Sequence, residues 1–224
     1  MKNLNKWMDW VKGFRPGALW MSAAPVCIGT VMAFGDGVGH WRPALAALLV
    51  VVSLHIMVNL FRDRLARQGR FLGFEDILAF VFFGPVAVVG AYYVQSLEWN
   101  MAVVIAGFGP GFLSAGIVAV NDLRDITADR KAGKFTLAAR LGPRFVRLEY
   151  LLCMIAAAAV PVMVYLVTEH NHRIVLASGV LFLAAPLIHD VMRSDHPEVL
   201  GPVMGRTGEL LFLYTLLFSF GWLI

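Results

Sequence analysis

Seven apolar stretches, each near the length that crosses a bilayer, divide this chain, and its basic residues fall almost wholly on alternate connections between them. A hydrocarbon core about 30 Å thick needs roughly 20 apolar residues at a helical rise of about 1.5 Å. Residues 17–35, 43–61, 77–95, 101–120, 148–167, 173–189 and 208–224 meet or approach that length. The predicted fold is an all-α membrane protein with about seven transmembrane helices in one bundle. Of the 19 lysines and arginines, only Arg42 and Arg173 lie on one side. The rest precede the first span or sit in the connections 62–76, 121–147 and 190–207. The positive-inside rule assigns those connections, and the N-terminus, to the cytoplasm.

Composition excludes the alternatives. Hydrophobic residues make up 59% of the 224 residues and charged residues 15%, against about 25% charged in a soluble domain. A water-soluble globule, a disordered chain and a disulfide-rich secreted scaffold are all ruled out. Cys27 and Cys153 lie in apolar stretches without CxxC spacing and read as packing residues. The net charge of +4 is spread along membrane flanks; that distribution suits a lipid bilayer as partner and not nucleic acid. Residues 1–14 read as an amphipathic surface helix, with Leu4, Trp7, Met8, Val11 and Phe14 at helical spacing and lysines between them. The chain 1–224 thus reads as a single transmembrane domain headed by that segment.

The connection after the fourth span carries the chemistry: NDLRDITADRKAGKFTLAARLG, residues 121–142. On a helix, Asn121, Asp122, Asp125 and Asp129 fall within an arc of about 100°. Three carboxylates on one face repel one another unless cations sit among them. Mg²⁺ suits that role, because it takes a few carboxylates and completes its shell with water and phosphate oxygens. Arg130, Lys131, Lys134 and Arg140 follow at once and suit the same polyanion. The plain alternative is a solvated helix whose acids pair with its own bases.

The order of that string, including the trailing GK-x-T-L-A-x-R-L-G, resembles the second aspartate-rich motif of the UbiA superfamily of intramembrane prenyltransferases. FEDILAFVFFGPVAVVGAYYVQ at 74–95 and RPGALWMSAAP at 15–25 are similar to the branch that prenylates dihydroxynaphthoate in menaquinone biosynthesis. The first motif of the family corresponds to VNLFRDRLARQG, in which Asn59 and Asp63 match. Ala66 stands where a further Asp is usual, and Arg62 replaces a usual Asn. The family places four spans between its motifs, whereas two separate them here, so one helical hairpin is missing between Gln68 and Leu72. The resulting gap in the helix ring is one that a homo-oligomer would close.

The resemblance implies Mg²⁺-dependent transfer of a polyprenyl group from polyprenyl diphosphate to an aromatic acceptor, 1,4-dihydroxy-2-naphthoate. Asp122, Asp125, Asp129 and Asp63, with Asn59 and Asn121, would hold the metal. Arg130, Lys131, Lys134 and Arg140 would hold the diphosphate. Tyr92, Tyr93, Phe82 and Phe83 would face the allylic cation, and Arg15 the acceptor carboxylate. The implied location is a bacterial or archaeal cytoplasmic membrane, with the acidic end in the cytoplasm. Gly107, Gly109, Pro110 and Gly111 are expected to interrupt the fourth helix, and Gly84–Pro85 the third, as breaks that line a cavity or serve close packing. A retinal photoreceptor is excluded because no span contains a lysine, and the DG-xx-AR opening of CDP-alcohol phosphatidyltransferases is absent. No span is expected to carry an acid or base near its middle, which weighs against a transporter. The rival reading is a catalytically impaired relative that binds isoprenoid or scaffolds other enzymes.

Overall fold

The computed structural model describes residues 16–67, 75–133, 136–169 and 171–224, with side chains described over 21–57, 76–133, 136–169 and 171–224. The expected segment 1–14, the deletion point at 68–72, Arg15 and Lys134 lie outside these residues.

All described regular structure is helical. In chain order the helices are α1 (Pro16–Gly35), α2 (Trp41–Arg67) and α3 (Glu75–Val81). A π-helical turn, Phe82–Val86, links α3 to α4 (Ala87–Ser96). Then come α5 (Met101–Lys131), α6 (Leu137–Leu141), α7 (Pro143–Thr168), a 3₁₀ segment at His172–Gly179, α8 (Val180–Arg193) and α9 (Pro197–Leu223). Each of the seven expected spans falls on one of these helical runs. Among the described residues, four runs are long and apolar enough to cross a bilayer: Asp76–Ser96, Met101–Lys131, Pro143–Thr168 and His172–Arg193. Met21–Gly35 and Trp41–Met57 are shorter apolar helices. The chain is an integral membrane protein.

Local chemistry sets the helix ends. Asn100 caps α5 by accepting a hydrogen bond from the Val103 amide at 2.9 Å, and Thr136 caps α6 through the Ala139 amide at 3.2 Å. Proline occupies the first turn of α7 and α9, where its missing N–H costs nothing. Gly133 and Gly142 take positive φ on either side of α6, so the chain reverses there without steric cost.

α5 is the central helix, packed against α1, α3, α7 and α9. The glycines expected to interrupt it do not: the helix runs unbroken through Gly107, Gly109, Pro110 and Gly111. Their role is close approach. A Cβ on Gly107 would fall 2.6 Å from Pro85 Cα, and one on Gly111 2.7 Å from the Phe80 carbonyl oxygen. A Cβ on Gly109 would collide with the Tyr214 ring. Small residues let backbones meet in a membrane, where packing rather than water drives association. The third span does break as expected: Gly84 leaves helical geometry, and the extra residue of the π turn absorbs Pro85. On the far side, Tyr150 of α7 and Thr207 of α9 share a buried hydrogen bond of 2.9 Å.

Candidate active site at the end of helix α5

A helix of 31 residues extends about 46 Å, longer than the roughly 30 Å hydrocarbon core. The acidic string is therefore no loop; it forms the last three turns of α5, held in register by the transmembrane part of the same helix.

Burial sorts its carboxylates. Asp122 is 2% exposed and Asp129 6%, two turns apart on one face, with Asn121 buried beside them. The Asn121 side-chain amide donates to Asp122 Oδ1 at 3.4 Å. Asp125 is more open and forms an ion pair with Arg124. Arg124 Nε donates to Asp125 Oδ1 at 2.7 Å, a second guanidinium nitrogen donates to Oδ2, and the same group reaches the Asn121 side-chain oxygen at 2.9 Å. This fork raises the already high Arg124 pKa; hydrogen bonding to Asp125 is the main cause, the charges of Asp129 and Asp122 add to it, and partial burial opposes it. Arg124 is thus a fixed cation inside the acidic face. The sequence reading gave it no role, although its place between two of the acids was the available signal.

The expected basic residues lie farther along. Arg130, Lys131 and Arg140 are exposed, and Arg130 Nε donates to the Ala139 carbonyl at 3.2 Å, folding the end of α5 onto α6. Asn59 and Asp63 lie in the last turns of α2; their side chains are outside the described residues.

The donor set suits magnesium in kind, because carboxylate and amide oxygens are its preferred ligands. Among the described residues, however, no three His, Cys, Asp or Glu side chains gather to enclose an ion. Asp122, Asp125 and Asp129 lie along one helix face rather than around a point.

The proposed aromatic lining is not gathered at this end. Tyr92 is buried at the opposite end of the bundle, where its hydroxyl donates to Asp36 Oδ2 at 2.7 Å and receives a long contact from Asn100 at 3.5 Å. Asn100 caps the start of α5, and Asp122 lies 22 positions on, about 33 Å along the axis. Tyr93 and Phe82 are about half exposed on the outer surface of the bundle. Of the four expected aromatics Phe83 alone turns inward beside another described ring, 4.7 Å from that of His55; elsewhere in the interior Phe80 packs on Phe108 and Phe112 with ring centroids 5.8 and 4.7 Å apart. Cys153 is buried as expected of a packing residue, whereas Cys27 is exposed on the outer face of α1.

His55 also corrects the expectation that no span carries a mid-span acid or base. It is 9% exposed, within the second span, and its Nδ1 shares a short hydrogen bond with Ser22 Oγ of α1 at 2.5 Å.

Comparison with known proteins agrees with this architecture. The model of the "UbiA prenyltransferase family" matches residues 15–216. The chain is 34% identical over 158 residues to the 1,4-dihydroxy-2-naphthoate octaprenyltransferase of Haemophilus influenzae, covering 69% of this chain and 50% of that protein. It is 33% identical over 187 residues to the protein of the same name from Escherichia coli, covering 81% of this chain and 59% of that one. Human UbiA prenyltransferase domain-containing protein 1 is 26% identical over 152 residues, covering 68% and 43% respectively. The chain spans about half the length of these relatives. With the acidic motif riding on a transmembrane helix and a family match over nearly its whole length, the chain belongs to the UbiA prenyltransferase family.

Proposed function

We propose that the protein transfers a polyprenyl group from polyprenyl diphosphate to an aromatic acceptor, 1,4-dihydroxy-2-naphthoate. The observation that carries this reading is the burial of Asp122 and Asp129 on one face of a helix that emerges from the bilayer. Buried carboxylates are costly unless paired or bound to cations. On this reading Asp122, Asp125, Asp129 and Asn121 hold the metal together with Asn59 and Asp63 of the first motif. Magnesium held there would supply positive charge to the departing diphosphate. Arg124 fixes the Asp125 carboxylate, while Arg130, Lys131, Lys134 and Arg140 supply cations to the diphosphate. The tail lies in the bilayer, so one boundary serves both a charged head and an apolar chain. The acidic end faces the cytoplasm, and the chain works as a single transmembrane domain, on the charge distribution of its connections. The named function of the bacterial relatives supports the acceptor class.

A second reading is favoured by one observation: Asp125 is engaged by Arg124, and no three acids converge among the described residues. On that reading the protein binds isoprenoid without turnover. Purified protein supplied with Mg²⁺, a polyprenyl diphosphate and 1,4-dihydroxy-2-naphthoate separates the two. Acceptor-dependent pyrophosphate release is the expected result; isoprenoid binding without release would establish the second reading.

A further inference from the structure

His55 belongs to no acidic or basic motif of the chain. It lies inside a transmembrane segment, where an ionisable side chain is costly and marks function more often than packing. A leucine would fill the same volume between α1 and the π turn without a polar group to satisfy. The imidazole is instead held across the helix interface by Ser22, 33 residues away. Its ring lies 4.7 Å from Phe83 with a tilt of 48°. Phe83 belongs to the π turn, which is pinned against α5 where Gly84 meets Gly107 and Gly111. The aromatic face beside His55 is thus set by backbone contacts rather than by a mobile loop.

Position along α2 gives the second half of the argument. Residues 55, 59 and 63 occupy successive turns of one continuous helix, so the first acidic motif and His55 lie along one line, about 12 Å from end to end. A diphosphate head and one bicyclic ring together cover a comparable length. An aromatic wall with one oriented polar group is the usual make-up of a small-molecule pocket.

We propose that His55, seated by Ser22, anchors the arene acceptor: its imidazole accepts a hydrogen bond from a ring hydroxyl of a dihydroxyarene lying against Phe83, one to two turns deeper in the bilayer than the first acidic motif. The anchor fixes which ring edge faces the allylic carbon. This inference rests on the prenyl-transfer reading for its ligand, but it is tested by binding alone.

The test uses the purified full chain in lipid nanodiscs and two separate equilibrium titrations. One follows 1,4-dihydroxy-2-naphthoate by its fluorescence; the other follows farnesyl diphosphate with Mg²⁺. His55→Leu weakens naphthoate binding about tenfold, equivalent to about 1.4 kcal/mol, and leaves farnesyl diphosphate binding unchanged. His55→Gln, which keeps a hydrogen-bonding side chain, restores most of the naphthoate affinity, and Ser22→Ala loses part of it. A dimethoxy analogue of the naphthoate, which has no hydroxyl to donate, binds wild type and His55→Leu equally. If His55→Leu fails to fold, the Gln and Ala variants and the analogue carry the test. Equal naphthoate affinity in wild type and His55→Leu, parallel weakening of both ligands, or no naphthoate binding by wild type overturns the proposal. Selective loss of naphthoate binding in a protein that never releases pyrophosphate upholds the anchor and removes the prenyl-transfer reading.

Discussion

Arg124 and Asp125, adjacent on α5, are joined along two guanidinium nitrogens, and the same guanidinium reaches back 2.9 Å to the side-chain oxygen of Asn121. A cation is thus built into the face that carries the buried carboxylates Asp122 and Asp129. It limits their mutual repulsion before any ion binds and orients Asp125 through a planar fork.

Arg124→Gln removes that internal cation. Two effects of opposite sign are expected: the face binds Mg²⁺ more tightly, and prenyl diphosphate binds less well. The loss in kcat/KM for diphosphate is about tenfold, in line with a charge-assisted hydrogen bond of about 1.5 kcal/mol. Steady-state kinetics with Mg²⁺ and diphosphate varied independently would reveal both. Because the pairing raises the Arg124 pKa, its contribution to stability is complete below the ordinary arginine range and is lost only above it. Thermal stability measured against pH should therefore show no alkaline limb from this pair short of that range.

The backbone approach between α5 and the π turn predicts a contrast between two glycines. Gly107→Val pushes branched carbons into Pro85, with a Cβ already 2.6 Å from its Cα, and should cost about 3 kcal/mol or prevent folding. Gly90→Ala meets nothing within 4 Å and should raise stability by about 0.5–1 kcal/mol through helix propensity. Thermal midpoints in one detergent would compare them.

Tyr150→Phe deletes the buried hydrogen bond to Thr207 but leaves the Thr207 hydroxyl donating to the Val203 carbonyl at 2.9 Å. No polar group is stranded, so the expected cost is about 1 kcal/mol, without loss of ligand binding. Thr207→Val leaves the Tyr150 hydroxyl without this partner and should cost more.

Tyr92 lies at the end of the bundle opposite the acidic turns, bonded to Asp36. Tyr92→Phe should lower stability by about 1.5 kcal/mol, the low end for a hydrogen bond to a charged group because Asp36 is exposed, while kcat and both KM values stay within about twofold, a difference worth only about 0.4 kcal/mol. A large fall in kcat without a fall in thermal midpoint would restore Tyr92 to the reaction.

The acidic motif was legible because its chemistry lies in the order of neighbouring residues, and helical spacing alone places Asp122, Asp125 and Asp129 on one face. The spans were legible because the bilayer fixes their length. Phe82, Tyr92 and Tyr93 could not be placed in the same way. Their facing depends on the extra residue of the π turn at Gly84–Pro85 and on which neighbours pack against each side, and both are tertiary facts. Gly107, Gly109 and Gly111 read as breaks because the letters alone do not distinguish a bend from a close approach. His55 was hidden by its plain apolar surroundings; its spacing of four and eight from Asn59 and Asp63 was the available clue.

The central claim is that Asp122, buried on the terminal turns of α5, helps hold magnesium and diphosphate at the membrane boundary. Equilibrium titration of farnesyl diphosphate into wild type and Asp122→Asn, each with and without Mg²⁺, tests it most directly. Mg²⁺-dependent binding by wild type, weakened at least tenfold in a folded Asp122→Asn protein, about 1.4 kcal/mol, is the predicted result. Equal Mg²⁺-dependent affinity in the two proteins, or wild-type binding indifferent to Mg²⁺, would contradict it.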